Sequence, residues 1–169
     1  IYNLFCSQMA IHKLALDDFE EADYQLIALH TTLEDYRLAY FINQKLPILL
    51  YRNKKEIQTT FEHQKTSFSR FTFEDKEKDI WWDLIENKKE LAVPQKNKVQ
   101  NLFNENQEFT TTLYFLPEFK KVDFFLKIAS EEQQIALTEV TTQLKKIDTV
   151  TTVYHLTKNQ IKSKNNLIF

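Results

Sequence analysis

Four histidines, His12, His30, His63 and His155, and two short runs of mixed charge are where side-chain chemistry could reside in this chain of 169 residues. The histidines show no close metal-ligand spacing, and Ser-His-Asp chemistry cannot be read from chain order alone. His30 is the best acid–base candidate, because imidazole titrates near neutrality and it ends a strand just before a capped helix with Glu34 and Asp35. The plainer reading is a hydrogen-bonded structural histidine near a helix start, favoured because no nucleophile or metal partner is visible. In the second run, Glu118 and Asp123 bracket Lys120 and Lys121. The two carboxylates could act as paired acids, or be held as structural ion pairs by Lys120, Lys121 or Arg37. A pocket lined by His30, Glu34, Arg37 and Glu118 would serve a small molecule. No residue is assigned as catalytic, and neither a metal nor a cofactor is expected.

The chain contains no glycine. Glycine lets backbone approach a phosphate and adopt positive φ without penalty, so phosphate loops, dinucleotide fingerprints and Gly-x-Ser-x-Gly elbows are excluded. Turns must then use Asn, Asp, Lys or Pro. Asp17, Asp18, Glu20, Glu21 and Asp23 could together hold a hard cation, but the calcium-loop pattern needs a glycine and a carboxylate spacing that are missing. A solvated turn is the expectation there.

A net charge of -2 and a pI of about 6.1 give no global attraction to nucleic acid or to an acidic membrane surface. Aromatic residues make up 14%, with 14 Phe and 7 Tyr, which implies an aromatic-rich core. The only methionine, Met9, reads as the natural start, leaving residues 1–8, with the only cysteine, Cys6, as a leader or expression remnant. Residues 9–169 then form one domain. No secretory signal and no membrane span is recognisable, so cytoplasmic residence is expected.

The elements that would position these groups follow from hydrophobic period. His12 to Leu16 alternates as a strand, and Tyr24 to His30 is the next. Thr31 and Glu34 form a capping box that opens a helix over 32–45, ended by Pro47. Leu33, Tyr36 and Tyr40, with Leu38, Phe41 and Ile42, make two apolar stripes that predict burial over more than half its circumference. Ile48 to Arg52 resumes as a strand, giving a crossover, right-handed if its strands are parallel. Period-2 runs follow around Ile57–Phe61, Phe71–Phe73 and Ile80–Ile85, the last two joined by a polar turn at Asp75–Asp79. Trp81 and Trp82 must face opposite sides of such a strand. The second side is expected under a helix, or else forms a partner or ligand surface. From Ala92 to Gln107 the pattern dissolves into the longest loop, with a short helix around Val99–Phe103.

Thr111 to Leu116 and Val122 to Ile128 alternate on either side of Leu116-Pro117-Glu118-Phe119-Lys120-Lys121-Val122-Asp123-Phe124, which predicts a hairpin with Glu118 to Lys121 at its tip. Ser130 and Gln133 form a second capping box for a helix over 131–147, whose buried stripe is Ala136, Val140, Leu144 and Ile147. Val150 to Leu156 is the following strand. Residues 145–169 carry five lysines against one acid, Asp148, and end in Leu167-Ile168-Phe169, read as a final packed segment rather than a docking peptide.

The run Leu116-Pro117-Glu118-x-x-x-Val122-Asp123-Phe124 is similar to the motif that names the IPExxxVDY family of Bacteroidota, with Leu116 where the pattern has Ile and Phe124 where it has Tyr. Leu33 to Tyr40 and Lys162 to Phe169 also resemble that family, so the resemblance covers Met9 to Phe169. It implies a small cytoplasmic protein and brings no activity or site residues with it. The expected architecture is α+β: a mainly antiparallel sheet of about seven to nine strands with two packed helices. The expected function is a non-enzymatic protein-interaction or adaptor module, binding an unknown protein or a second copy of itself. The alternative is a small-molecule binder or enzyme at the pocket named above. A third expectation is local binding of an acidic partner by the C-terminal lysines. Neither nucleic acid nor membrane is expected as a partner.

Overall fold

The computed structural model describes residues 24–61, 64–93, 109–130 and 135–169. Ten strands and two α-helices lie among them, so the chain is α+β with a mostly antiparallel sheet, slightly richer in strands than expected. The strands are β1 (Tyr24–Thr31), β2 (Tyr51–Arg52), β3 (Ile57–Phe61), β4 (Gln64–Phe68), β5 (Arg70–Asp75), β6 (Ile80–Glu86), β7 (Lys88–Val93), β8 (Phe109–Tyr114), β9 (Phe124–Ser130) and β10 (Val150–Leu156). Helix α1 spans Asp35–Lys45 and α2 spans Leu137–Leu144. Six strands form the main sheet in the order β10-β1-β9-β6-β5-β2, while β3-β4 and β7-β8 are separate two-stranded ribbons. The strand read at 12–16, the acidic cluster at 17–23, the leader 1–8, His12, His63 and the short helix at 99–103 lie outside the described residues.

Every pairing in the main sheet is antiparallel. An even number of steps separates β1 from β2, so these two strands run parallel and α1 links them as a crossover past β9, β6 and β5. By the same logic β9 and β10 run parallel on either side of β1, linked through α2. Both helices lie on one face of the sheet. Leu38, Ala39 and Ile42 of α1 and Val140 and Leu144 of α2 share a core with Ile27, Leu29, Leu84, Leu126 and Ile128. The opposite face is not covered by an α-helix, contrary to the expectation from sequence. Phe115, Leu116, Val122, Ile161 and Leu167 cover it instead, packing on Leu26, Ala28, Ile85 and Phe125. Trp82 accordingly lies in the helix-side core, and Trp81 is half-buried on the other side.

Several local expectations give way to tertiary commitments. The Thr31–Glu34 capping box does not form: the Thr31 hydroxyl donates to the Thr149 carbonyl at 3.0 Å and accepts from the Leu33 amide, so Thr31 remains in β1. The helix starts at Asp35, three residues later than expected, with Glu34 as an extended N-cap whose carbonyl accepts the Leu38 amide at 2.9 Å. Its end is as expected, since Leu46 before Pro47 is extended at φ -117 and ψ 149. Only one of its stripes is buried; Tyr36 and Tyr40 are 57% and 59% exposed. The strand expected over Ile48–Arg52 shrinks to Tyr51–Arg52, because Asn43 at the end of α1 bonds both the amide and the carbonyl of Leu50.

Helix α2 is shorter than the 131–147 expected: Ser130 ends β9, Ala136 is the N-cap without a side-chain cap, and Gln133 lies outside the described residues. Two strands were not foreseen, β4 and β7, each separated from a main-sheet strand by one residue, Ser69 or Asn87. The β5–β6 hairpin is as read, with Asp75 opposite Ile80. Its turn shows how a chain without glycine manages: Asp75 Oδ1 accepts the Glu77 and Lys78 amides, and Asp79 takes φ 51.

The hairpin expected around Pro117 is absent. β8 pairs with β7, whereas β9 pairs with β1 and β6. The two alternating runs therefore belong to different sheets, and the nine residues between β8 and β9 form a corner rather than a tip.

Candidate functional site

The corner is built around Asn87, which is fully buried. Pro117 has no amide donor to continue β8 and its fixed φ suits a tight turn. Residues Pro117–Phe119 make one turn of 3-10 helix, and Phe119 and Val122 donate in succession to the Leu116 and Phe119 carbonyls at 3.0 Å each. These turns leave inward-facing backbone groups that a buried site must satisfy. Asn87 does so: its side-chain nitrogen donates to the Phe119 and Val122 carbonyls at 2.9 and 2.8 Å, and its side-chain oxygen accepts the Leu116 amide at 2.9 Å. Its own backbone amide donates to the Asp123 carbonyl and its carbonyl accepts from Phe115. Leu116 and Val122 are thereby driven into the second core, and Phe124 into the first.

The two acids of the motif diverge from this corner. Asp123 Oδ1 accepts from Lys88 Nζ at 2.5 Å, and Oδ2 accepts the Thr31 amide at 3.0 Å. Lys88 also donates to the Lys121 carbonyl at 3.3 Å. His30 Nδ1 stands 3.9 Å from Asp123 Oδ2, beyond hydrogen-bond reach, and its Nε2 lies 3.5 Å from the Tyr154 hydroxyl with the rings stacked. Burial pushes the Tyr154 phenol above its ordinary pKa. With both Asp123 oxygens committed to the lysine and the amide, the group works as an anchor joining β1, β7 and the corner.

Glu118 points elsewhere. Its carboxylate accepts the Lys162 and Ser163 amides at 2.7 and 2.8 Å and the Ser163 hydroxyl at 3.0 Å. Burial pushes this carboxyl up, but the Ser163 amide and the other donors outweigh it and hold it below the usual carboxylate range. The C-terminal segment so gripped then crosses the sheet. Asn166 donates to the Phe115 carbonyl at 2.7 Å, and Lys127 donates to the Leu167 carbonyl at 2.7 Å. The Phe169 ring receives two cations, Arg70 at 4.1 Å and Lys127 at 4.6 Å. Arg70 in turn is bonded to the buried Asp83 at 2.7 Å. Burial holds the Lys127 ammonium below its ordinary pKa.

The seven residues singled out from sequence thus do not converge on one pocket. His30 and Asp123 are neighbours, but Glu118 serves the C-terminal segment. Glu34 and Arg37 are exposed at the start of α1, where the Glu34 carboxylate raises the Tyr36 phenol pKa by accepting its hydrogen bond. Lys120 lies over the Tyr114 ring at 5.9 Å, and Lys121 is exposed. The ion pairs expected between the motif acids and Lys120, Lys121 or Arg37 are replaced by Lys88 and by backbone amides. Asn87, Lys88, Thr31 and Ser163 were missed. Nothing in the sequence marks Asn87, which stands within the polar run Glu86 to Glu90.

Two concavities, of about 830 and about 590 Å3, open on the C-terminal side of the sheet. Neither is lined by His30, Glu34, Arg37 or Glu118. Among the described residues, no group of three or more His, Cys, Asp and Glu is placed to hold a metal ion, and no helix is long and apolar enough to cross a membrane. Compared with protein-family models, with curated proteins and with solved structures, the chain matches none.

Proposed function

We propose that the chain is a non-enzymatic protein-interaction module working in the cytoplasm, and that the corner resembling the IPExxxVDY motif is its scaffold rather than its reactive centre. One observation carries this reading. The large apolar side chains left most exposed near α1, Tyr36, Tyr40, Leu49 and Tyr51, stand at 57, 59, 67 and 58% exposure. Asn43 clamps Leu50 against the last turns of α1, so Leu49 and Tyr51 run beside the helix face that carries Tyr36 and Tyr40. Tyrosine supplies a large contact area for few rotatable bonds, which suits it to interface anchoring. The commitment of Glu118 and Asp123 to internal bonds supports the same view, because the motif's acids are engaged in structure. A single cysteine, which allows no internal disulfide, agrees with a reducing compartment. The other reading, a small-molecule pocket at His30, Glu34, Arg37 and Glu118, draws no support from the divergence of those side chains.

Size-exclusion chromatography with light scattering, together with a pull-down from native lysate, tests the proposal. Self-association or a specifically retained protein is expected for the wild-type chain and is lost in Tyr36→Ser/Tyr40→Ser. A strict monomer that retains nothing overturns it.

A further inference from the structure

Beyond the aromatic face, the opposite side of the sheet carries a second feature, to whose lining the motif contributes Pro117 and Lys120. The two concavities share Ile57, Gln58 and Ile168 in their linings, so they form one continuous trough. Ile168, 78% exposed, stands in its middle. The trough exists because two hairpin arms part company. β5 and β6 pair up to Arg70 and Ile85, after which the Glu86 amide still donates to the Ser69 carbonyl; beyond that point β4 turns to β3 and β7 to β8. The gap between the ribbons is floored by Phe68 and Phe115, both buried.

Charge is distributed unevenly around this trough. Lys54 and Lys55 stand exposed at one end and Lys120 at the other. Glu56 is the acid in the linings, and it is already engaged by Arg52 at 2.6 Å and by the Ser67 hydroxyl. The Ser67 bond, then Arg52, hold the Glu56 carboxyl ionised below its usual range. Residues of β3 and β8 form its walls. Among the described residues β3 pairs only with β4 and β8 only with β7, so each leaves alternate amide and carbonyl groups unpaired toward its outer side.

We infer that this trough binds an acidic peptide segment in extended conformation, which adds a strand to the free edge of β3 and sets its carboxylates against Lys54, Lys55 and Lys120. Unpaired strand edges offer the regular donors and acceptors that an extended backbone requires, and side-chain contacts then select the sequence. A peptide is favoured over an anionic lipid because the walls carry Gln58, Thr59, Thr60 and Thr112 and open to solvent, whereas an acyl chain needs an enclosed apolar cavity. The five residues of β3 span about 16 Å at the usual rise per residue, which matches a bound segment of about five to seven residues. Together with the aromatic face this surface makes the chain bivalent, the property an adaptor needs.

Fluorescence anisotropy with a labelled decapeptide alternating Glu and Val tests the inference. Binding is expected at low ionic strength and weakens as salt is raised. N-methylation of alternate peptide amides abolishes binding in one register and spares it in the other, a result that leaves the protein itself unaltered. Lys54→Glu/Lys55→Glu/Lys120→Glu weakens binding at least about 10-fold, the effect of losing three charge contacts. Absence of binding, equal binding of the corresponding Lys and Val peptide, insensitivity to both N-methylation registers, or preferential binding to phosphatidylserine vesicles overturns the inference. Tyr36→Ser/Tyr40→Ser leaves peptide affinity unchanged, so the two surfaces succeed or fail separately.

Discussion

The Asn87 side chain donates to the Val122 carbonyl at 2.8 Å, joining residues 35 positions apart in a fully buried contact. Through this bond and its two companions the break between β6 and β7 becomes the core of the corner. Asn87→Ala leaves the Val122 carbonyl and the Leu116 amide unsatisfied, while the Phe119 carbonyl keeps the Val122 amide. At about 1–3 kcal/mol for each buried group left unsatisfied, partly relieved by relaxation, the expected loss is on the order of 3–5 kcal/mol. Asn87→Asp is expected to be worse, because it sets a carboxylate against two carbonyls. Urea denaturation reads both; a loss below about 1 kcal/mol would show that the corner stands without Asn87.

Glu118 links stability to pH. Its folded carboxyl lies below the ordinary value, so its contribution is fully present above the unfolded pKa of about 4.3 and is lost as pH falls through the folded value. Glu118→Gln keeps one acceptor oxygen and loses the charge. It is expected to cost about 1 kcal/mol at pH 7, with the difference from wild type shrinking below about pH 4. A difference that stays constant across that range rules out the ionised clamp.

Asp123 and His30 should separate cleanly. Asp123→Ala leaves the Thr31 amide without its partner and the Lys88 ammonium with the Lys121 carbonyl alone, an expected loss of about 1–3 kcal/mol. His30→Ala removes contacts at 3.5 and 3.9 Å and is expected to cost under about 1 kcal/mol. Thermal denaturation of the two variants compares them. Equal losses would mean that His30 and Asp123 act as a unit.

Phe169 holds the last residues of the C-terminal segment through Arg70 and Lys127. Phe169→Ala removes both cation–ring contacts, each worth about 0.5–1 kcal/mol at a partly exposed site. Faster amide exchange confined to residues 161–168 is the expected signature. Unchanged exchange there would place the grip wholly on Glu118 and Lys127.

The β5–β6 hairpin, β1, β10 and the end of α1 were legible because each rests on local physics: alternation on a half-buried strand, an Asp-rich turn, and the steric effect of Pro47 on Leu46. The start of α1 was not. Thr31 and Glu34 have the right types at the right spacing for a cap, yet Thr31 is pulled into β1 by Asp123 and Thr149, which are 92 and 118 positions away. The paired alternating runs around Pro117 misled for a related reason. Alternation reports that a strand has two unlike faces, and says nothing about which strand lies beside it.

For the candidate site the division is sharper. Residue types alone determined that Glu118 and Asp123 would be charged and would seek donors, that Pro117 would end a strand, and that a chain without glycine builds no phosphate cradle. Only the tertiary structure decided who the partners are: Ser163 and Lys162 for one acid, Lys88 and Thr31 for the other. A hydrogen bond or ion pair is a condition on distance, and distances between residues far apart in the chain are set by how sheet and corner pack.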